Sequence, residues 1–165
     1  MERLVGIDSV SLVDVAGYAA VLGLELSAGL HPAGEPLRDK GHQAVVRRLI
    51  AMLHESWKVA REVLLPNPGD TRAWDLVLRV AGCIVGIEVE TRVRDVQALT
   101  RRMRARQREG GTDAVVLVLA DTTHNRRVLP ELLEALGPEF ATSPRAVLKA
   151  LREGRPIPGS AVILL

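Results

Sequence analysis

The spacing of hydrophobic residues changes along the chain and divides it into predicted helices and strands. Residues 11–24 and 43–57 place apolar side chains three and four positions apart, which is typical of amphipathic helices. Residues 59–65 form a short run that ends at a Pro-Asn-Pro-Gly turn, which favours a strand. Between the two helices, the turn-rich segment 31–36 predicts a linker. We therefore expect a boundary near residue 36, with a helical segment before it and the main domain after it.

Two apolar runs, residues 74–80 and 83–90, flank the dipeptide Ala81-Gly82. Short runs rich in β-branched residues on either side of a glycine-containing turn predict a β-hairpin. If the turn centres on this dipeptide, the last residue of the first run pairs with the first residue of the second. The register of every other pair in the hairpin then follows.

Three carboxylates fall within this predicted hairpin. In the expected register Asp75 lies opposite Glu88, and Glu90 shares the face of Glu88 because side chains alternate along a strand. Like charges in opposite positions destabilise a sheet, and a divalent cation is the usual reason for a protein to keep such a group. We therefore interpret the acids as a candidate metal site. The alternative is a solvated acidic face at a sheet edge, with Glu90 capping the next helix.

The second half of the chain continues the succession of helices and strands. It contains an arginine-rich helix, an apolar strand, a helix with a polar first turn, a helix that opens at Pro144 and a final strand. The corresponding residues are 93–108, 114–120, 121–136, 144–153 and 159–165. From residue 41 the order is helix, three strands, helix, strand, two helices and a strand. This order indicates an α/β fold with a mixed sheet and helices on both faces.

Composition restricts the class of protein. A chain of 165 residues with 47% hydrophobic and 25% charged residues is typical of one folded domain with, at most, a small appendage. The single cysteine, Cys83, excludes a disulfide framework, and no pair of histidines has the spacing of a zinc site. We expect no signal peptide, because residues 1–3 lead into no long apolar core, and the longest apolar stretch is too short to span a bilayer. We expect a cytoplasmic protein with no membrane partner.

Positive charge is concentrated in one segment. The net charge is only +2, yet residues 92–108 contain seven arginines and one acid. A local basic stripe is typical of surfaces that bind phosphate groups, although a solvated helix face has the same composition. Aromatic residues make up 2% of the chain, which argues against a single-strand platform built on stacked bases. DNA is the expected partner, and the residues assigned to its phosphates are Arg92, Arg94, Arg101 and Arg102.

The order of elements and the position of the acids together resemble the restriction-endonuclease-like superfamily, often written PD-(D/E)xK. In that family an Asp of the hairpin and the first acid of the second motif hold a divalent metal, and these positions match Asp75 and Glu88. Glu90 stands where the family usually has Lys and where some members have Glu. Gln97 lies where some members carry a helper polar residue, and Glu55 lies where a further acid sometimes contacts the metal. The resemblance thus implies Mg²⁺ or Mn²⁺ as a cofactor.

The resemblance also implies an activity, that of a metal-dependent DNA phosphodiesterase with a restriction-endonuclease-like domain over residues 37–165. Its implied catalytic residues are Asp75, Glu88, Glu90 and Gln97, and its implied metal ligands are Asp75, Glu88 and Glu55. Glu90 at the lysine position keeps a second hypothesis open. Under it the domain is a catalytically inactive, nuclease-like module that binds DNA or regulates, as a transcriptional regulator or an antitoxin does. The first hypothesis requires a divalent metal, and the second does not.

Residues 3–30 resemble the last helix of repressor-type (XRE-like) helix-turn-helix domains. In those domains the helix that reads DNA precedes this segment, and residues 1–7 are too few to form it. We therefore expect residues 1–36 to be a helix-turn-helix remnant, or the end of a truncated domain of that type, with a linker. Its expected role is to pack on the core or at a homodimer interface, and we assign it no base recognition.

Overall fold

The structure is a computed structural model, which describes residues 11–23 and 36–165. The chain divides into two compact units, Met1–Gly34 and Glu35–Leu165. The first contains helix α1, Leu12–Val21, whose start is a capping box. The Ser11 hydroxyl accepts from the Asp14 N–H and the Asp14 carboxylate accepts from the Ser11 N–H, so the predicted cap is confirmed. The predicted extended piece 24–30 and most of the predicted linker lie outside the described residues.

The larger unit is an α/β fold in which the predicted order of elements is confirmed. The turn after α4 includes a short 3-10 helix, Pro138–Phe140. The helices are α2 Pro36–Met52, α3 Val96–Glu109, α4 Thr123–Leu136 and α5 Pro144–Glu153, and the strands are β1 Lys58–Leu64, β2 Ala73–Val80, β3 Cys83–Glu90, β4 Ala114–Leu119 and β5 Ala161–Leu164. Across the described residues, no helix is both long enough and apolar enough to cross a bilayer.

The five strands form one mixed sheet in the order β1-β2-β3-β4-β5. Strands β1, β2 and β3 are antiparallel neighbours, whereas β4 and β5 each run parallel to the strand before them. The predicted hairpin between β2 and β3 is present, with Val80 paired to Cys83. Its turn residues Ala81 and Gly82 have φ angles of 47° and 79°, as a two-residue turn of the favoured twist requires. The register deduced from the sequence is therefore confirmed for residues 76–80 and 83–87, and the expected pair Asp75–Glu88 falls one step beyond the last paired residues.

Helices cover both faces of the sheet and divide the core into two layers. On one face, α2 and α5 pack on the sheet through residues such as Leu49 and Leu151. On the other, α3 and α4 pack through residues such as Met103 and Leu132. Strand β4 contributes to both layers, and all six of its residues are buried. This explains why its sequence is an uninterrupted apolar run rather than an alternating one.

The alternation of side chains along β2 is interrupted at Asp75. Trp74 lies in the layer of α3 and α4, whereas Leu76 lies in the opposite layer, although residues two apart in a regular strand share a face. On β1, Glu62 lies between the pairs Arg61–Leu76 and Val63–Trp74 and has a φ angle of 50°. The strands thus keep their register but deviate locally from regular geometry at the first acid of the motif. Non-glycine residues held at a positive φ angle cluster at functional sites.

Helix α2 begins and ends earlier than the sequence pattern predicts. It ends at Met52 instead of continuing to Trp57. The following turn attaches to the end of α5, where the Leu151 carbonyl accepts from both the His54 N–H and the Trp57 ring N–H. These hydrogen bonds to α5 replace the helical hydrogen bonds that residues 53–57 would otherwise form. Glu55 consequently lies in the turn rather than on α2.

Helix α3 begins three residues later than expected, at Val96. Asp95 caps it, because its carboxylate accepts from the Ala98 N–H at 2.9 Å. Residues 91–95 therefore form a connecting loop between β3 and α3, which we call the arginine loop because it carries Arg92 and Arg94.

Candidate functional site

The candidate site lies where β3 and β4 end. In open α/β sheets, ligands bind beyond the carboxyl ends of parallel strands. Glu88 and Glu90 are near this end of β3, and the arginine loop follows directly. Asp75 is near the start of the antiparallel neighbour β2, so the hairpin brings it to the same end of the sheet.

The Asp75 side chain continues the hydrogen bonding between the two hairpin strands beyond their last backbone pair. The last backbone pair on this side is Leu76–Ile87, and one step further the Asp75 carboxylate accepts from the Val89 N–H at 2.6 Å. Its other oxygen, Oδ1, lies 3.4 Å from Nε2 of His42 on α2. Both oxygens of this carboxylate therefore have a partner within the protein.

Glu88 is a buried carboxylate between two arginines of α3. Only 6% of the residue is exposed. Oε1 lies 3.5 Å from Nε of Arg102, and Oε2 lies 3.4 Å from Nη1 of Arg106. Burial and the charge of Asp75 raise the pKa of Glu88 to about 7, and the two arginines limit that rise. Oε2 has no hydrogen-bond partner among the described residues.

Arg102 and Arg106, the two arginines beside Glu88, also form contacts with other residues. Arg102 donates to Oε2 of Glu90 at 2.9 Å, so it links the second and third acids of the motif. Arg106 is itself buried; its Nη1 donates to the Ala73 carbonyl at 2.6 Å, and its guanidinium lies 5.2 Å from the centre of the Trp74 ring. A guanidinium at this distance from an indole makes a cation–π contact. We call Glu88, Glu90, Arg102 and Arg106 the acid–arginine cluster.

These surroundings do not fit a divalent cation. Mg²⁺ and Mn²⁺ require carboxylate oxygens that are free to coordinate, but each motif acid already has a cationic or N–H partner. Two guanidiniums within 3.5 Å of the Glu88 carboxylate would repel a metal placed there. Within the described ranges, no three His, Cys, Asp or Glu side chains form a group able to hold a metal. The metal site stays a prediction, and it requires Arg102 and Arg106 to move.

The other predicted metal ligand, Glu55, and the other predicted catalytic residue, Gln97, are not among the contacts of the three motif acids. Glu55 is exposed in the turn after α2, beside the end of α5. His42, the α2 residue next to Asp75, is ten residues before the end of the helix, or roughly 15 Å along its axis. Gln97 is exposed in the first turn of α3 and does not line the cleft described next.

A cleft of about 200 Å³ opens between the arginine loop and the first turns of α3. It is lined by the three arginines Arg92, Arg94 and Arg102, by the acids Glu90 and Asp95, and by Val93, Ala98 and Leu99. Arg92 and Arg94 are exposed, and neither forms an ion pair with any residue in the described ranges. Of the arginines assigned to DNA from the sequence, the structure brings these two and Arg102 together at the cleft, whereas Arg101 is exposed outside its lining.

The arginine loop is held in place by α4, a feature that sequence reasoning missed. Asn125 is fully buried; its Oδ1 accepts from the Val93 N–H, and its Nδ2 donates to the Thr91 and Ala120 carbonyls. His124 Nε2 lies 2.6 Å from the Val93 carbonyl oxygen. The sequence pattern predicts a helix capped by Asp121 with a polar first turn. The polar first turn is present, but the cap is Thr122, whose hydroxyl accepts from the Asn125 N–H, so the helix begins at Thr123. The position of the segment directly after a buried strand was the available signal for a further role.

Fold and site together define an α/β protein with a five-stranded mixed sheet, helices on both faces and a charged cleft where the parallel strands end. Comparison with protein-family models, with curated proteins and with solved structures found no match. The function proposed below therefore stands on the sequence and on the geometry of this site.

Proposed function

We propose that residues 35–165 bind the phosphate backbone of duplex DNA through the cleft beside the arginine loop and do not cut it. The domain then has the catalytically inactive, nuclease-like character that Glu90 at the lysine position suggests. The observation that carries the proposal is the engagement of all three motif acids inside the protein. Arg102 and Arg106 compensate Glu88 and Glu90, and the Val89 N–H and His42 contact Asp75.

The chemistry of the cleft suits a phosphate group. A guanidinium presents a planar set of donors that matches two phosphate oxygens, and Arg92 and Arg94 have theirs exposed at the rim. The start of α3 adds the partial positive charge of a helix N-terminus to the same cleft. Phosphate contacts carry no sequence information, so we expect binding that is independent of DNA sequence.

The balance of charge in the cleft limits the affinity. Three arginines face two carboxylates, those of Glu90 and Asp95. Glu90 is paired with Arg102, whereas Asp95 keeps its negative charge while it caps α3. Arg92 and Arg94 are therefore the cleft cations without a carboxylate partner, and the five groups together carry one positive charge in excess. We expect the weak, salt-sensitive affinity typical of non-specific binding, with a Kd of roughly 10⁻⁴ to 10⁻⁶ M.

Fluorescence anisotropy with a labelled 20-base-pair duplex, in EDTA and at several salt concentrations, tests the proposal. We expect binding without metal, and we expect the double variant Arg92→Ala/Arg94→Ala to reduce the slope of log K against log salt by about 2. The matched control is Arg145→Ala/Arg152→Ala, which removes the same charge from exposed positions of α5. Equal losses in the two double variants, or no binding by the parent protein, would refute the proposal.

One observation favours the metal-dependent phosphodiesterase as a second candidate. Glu88 has a buried oxygen without a hydrogen bond and a pKa raised to about 7, and perturbed carboxylates are enriched at active sites. Plasmid nicking by the parent, Asp75→Ala and Glu88→Gln proteins, with calorimetric titration of Mg²⁺ and Mn²⁺, separates the candidates. If the parent protein nicks plasmid and binds metal in the calorimeter, and both variants lose these two signals, the protein is a metal-dependent nuclease. Binding in EDTA with neither signal supports the proposal made above.

A further inference from the structure

We infer that Asn125 is a positioning residue, which holds the arginine loop so that Arg92 and Arg94 present their guanidiniums together to a phosphate. This inference rests on the proposed function, because it assigns a role toward the same ligand. Asn125 lies on α4 and does not line the cleft. It acts through the backbone of the loop rather than on the phosphate.

The hydrogen bonds of Asn125 use both ends of its amide. The carbonyl oxygen Oδ1 accepts from the Val93 N–H at 3.0 Å, and Nδ2 donates to the Thr91 carbonyl at 3.0 Å and to the Ala120 carbonyl at 2.8 Å. Two of these bonds reach the arginine loop on either side of Arg92. The third bond joins the same amide to Ala120, directly after β4, so the loop is tied to the strand that is buried on both faces.

Val93 is the residue through which the loop is fixed. Its N–H is bound by Asn125, its carbonyl by His124, and its side chain is buried in the core. Its two neighbours in sequence, Arg92 and Arg94, are exposed. Because the N–H and the carbonyl of Val93 are both fixed, the backbone positions of Arg92 and Arg94 on either side of it are restricted as well.

A general packing role does not account for this arrangement. A buried side chain kept only for volume would be apolar, because an amide must satisfy every donor and acceptor it brings into the core. Asn125 is 0% exposed and its bonds include two different backbone groups of one short loop. Pre-organising exposed arginines reduces the ordering cost that binding a phosphate otherwise incurs.

A double-mutant cycle tests the inference. The variants are Asn125→Ala, Arg92→Ala/Arg94→Ala and their combination, each measured with the labelled duplex in EDTA. We expect Asn125→Ala to weaken binding about tenfold, a typical effect for coupled neighbours, and to reduce the salt slope in the same direction as loss of the arginines. The combined variant should bind no more weakly than the arginine variant alone, since a loop without arginines has nothing to position.

The control is Ser160→Ala, which removes a buried side chain with an equivalent backbone bond elsewhere. The Ser160 hydroxyl accepts from the Val115 N–H at 2.9 Å, at the start of β4. Hydrogen exchange distinguishes the two sites. Asn125→Ala should speed exchange of the Val93 amide, and Ser160→Ala should speed that of Val115 and leave DNA affinity unchanged.

The outcomes separate this inference from the proposed function. A folded Asn125→Ala protein with parental affinity, or losses that multiply fully in the combined variant, would overturn the positioning role and leave DNA binding intact. If the parent does not bind duplex, the proposed function fails, while unchanged exchange at Val93 in the variant would still overturn the inference. If Asn125→Ala does not fold, His124→Ala takes its place, since that residue is only partly buried. The His124→Ala variant should weaken DNA binding by a smaller factor than Asn125→Ala. Parental affinity in His124→Ala would count against the positioning of the arginine loop by α4.

Discussion

Arginines surround the end of β3 in two different situations. Arg106 is buried, lies beside Glu88 and contacts the Trp74 ring, whereas Arg92 and Arg94 are exposed without an ion pair among the described residues. A charge in the interior must be compensated there, because removing it from water is costly. A charged group at the surface is already solvated and is free to pair with an oppositely charged ligand. The same residue type therefore stabilises the fold in one place and is available for binding in the other.

This contrast also changes the interpretation of the acids. In the acid–arginine cluster, Glu88 and Glu90 attach α3 to β3 through Arg102 and Arg106. Because α3 carries the other wall of the cleft, the cluster sets the position of that wall. The motif that resembles a catalytic site thus has a structural use that needs no metal.

The largest expected effect comes from removing Arg106. The Arg106→Ala variant removes one of the two cationic partners of the buried Glu88 carboxylate and leaves only Arg102. It also removes the guanidinium from the Trp74 ring and the donor from the Ala73 carbonyl. We expect a loss of about 3–5 kcal/mol in the free energy of unfolding, measured by urea denaturation at pH 7. Arg108→Ala is the control, because its side chain is 69% exposed, and it should change stability by less than about 0.5 kcal/mol. A small loss at Arg106 would contradict the buried pairing.

The second effect is a pH dependence due to Glu88. Its carboxyl has an ordinary pKa of 4.5 and a folded-state pKa of about 7, raised chiefly by burial, so the folded protein binds more protons between these values. The contribution of Glu88 to stability is then fully present below about pH 4.5 and is lost as the pH rises through 7. It amounts to at most about 3 kcal/mol. We expect this dependence to disappear in Glu88→Gln, and an unchanged profile in that variant would assign it to another group.

Much of the fold was accessible from the sequence because it depends on local patterns. The Ala81-Gly82 turn set the hairpin register, and the apolar run of β4 indicated a strand buried on both faces. The end of α2 was not accessible, because bonds from its turn to Leu151 of α5 decide it. Contacts between elements far apart in sequence leave no periodic signal.

The candidate site was predicted in part for the same reason. The hairpin pattern brought the three acids to one end of the sheet, but it did not show what would compensate them. One signal was present for Arg106, which follows the buried Met103 by three positions and so shares its helix face. For Asn125 the only signal was its position after a buried strand, which did not identify its partners, since Thr91 and Val93 lie in a loop without periodicity.

A third prediction concerns Asp75, whose negative charge acts on the buried Glu88 carboxyl. Asp75→Asn keeps an oxygen for the Val89 N–H but removes the charge that raises the pKa of Glu88. We expect the pKa of Glu88 to fall toward its ordinary value, as followed by carbon-detected NMR of the side-chain carboxyl. The loss of stability should be smaller than in Asp75→Ala, which leaves the N–H without an acceptor at a cost of about 1–3 kcal/mol. An unchanged Glu88 titration would show that the two carboxylates do not interact.

The smallest expected effect on stability is that of Arg92→Ala/Arg94→Ala. Both side chains are exposed and outside the acid–arginine cluster, so we expect a change within about 0.5 kcal/mol in urea denaturation. This variant is nevertheless the one expected to lose DNA binding. Arg106→Ala provides the converse case, because it should lose stability while Arg92 and Arg94 remain on the loop that Asn125 anchors. If the exposed pair instead proves important for stability, these arginines have partners within the fold, and the distinction between structural and binding arginines does not hold.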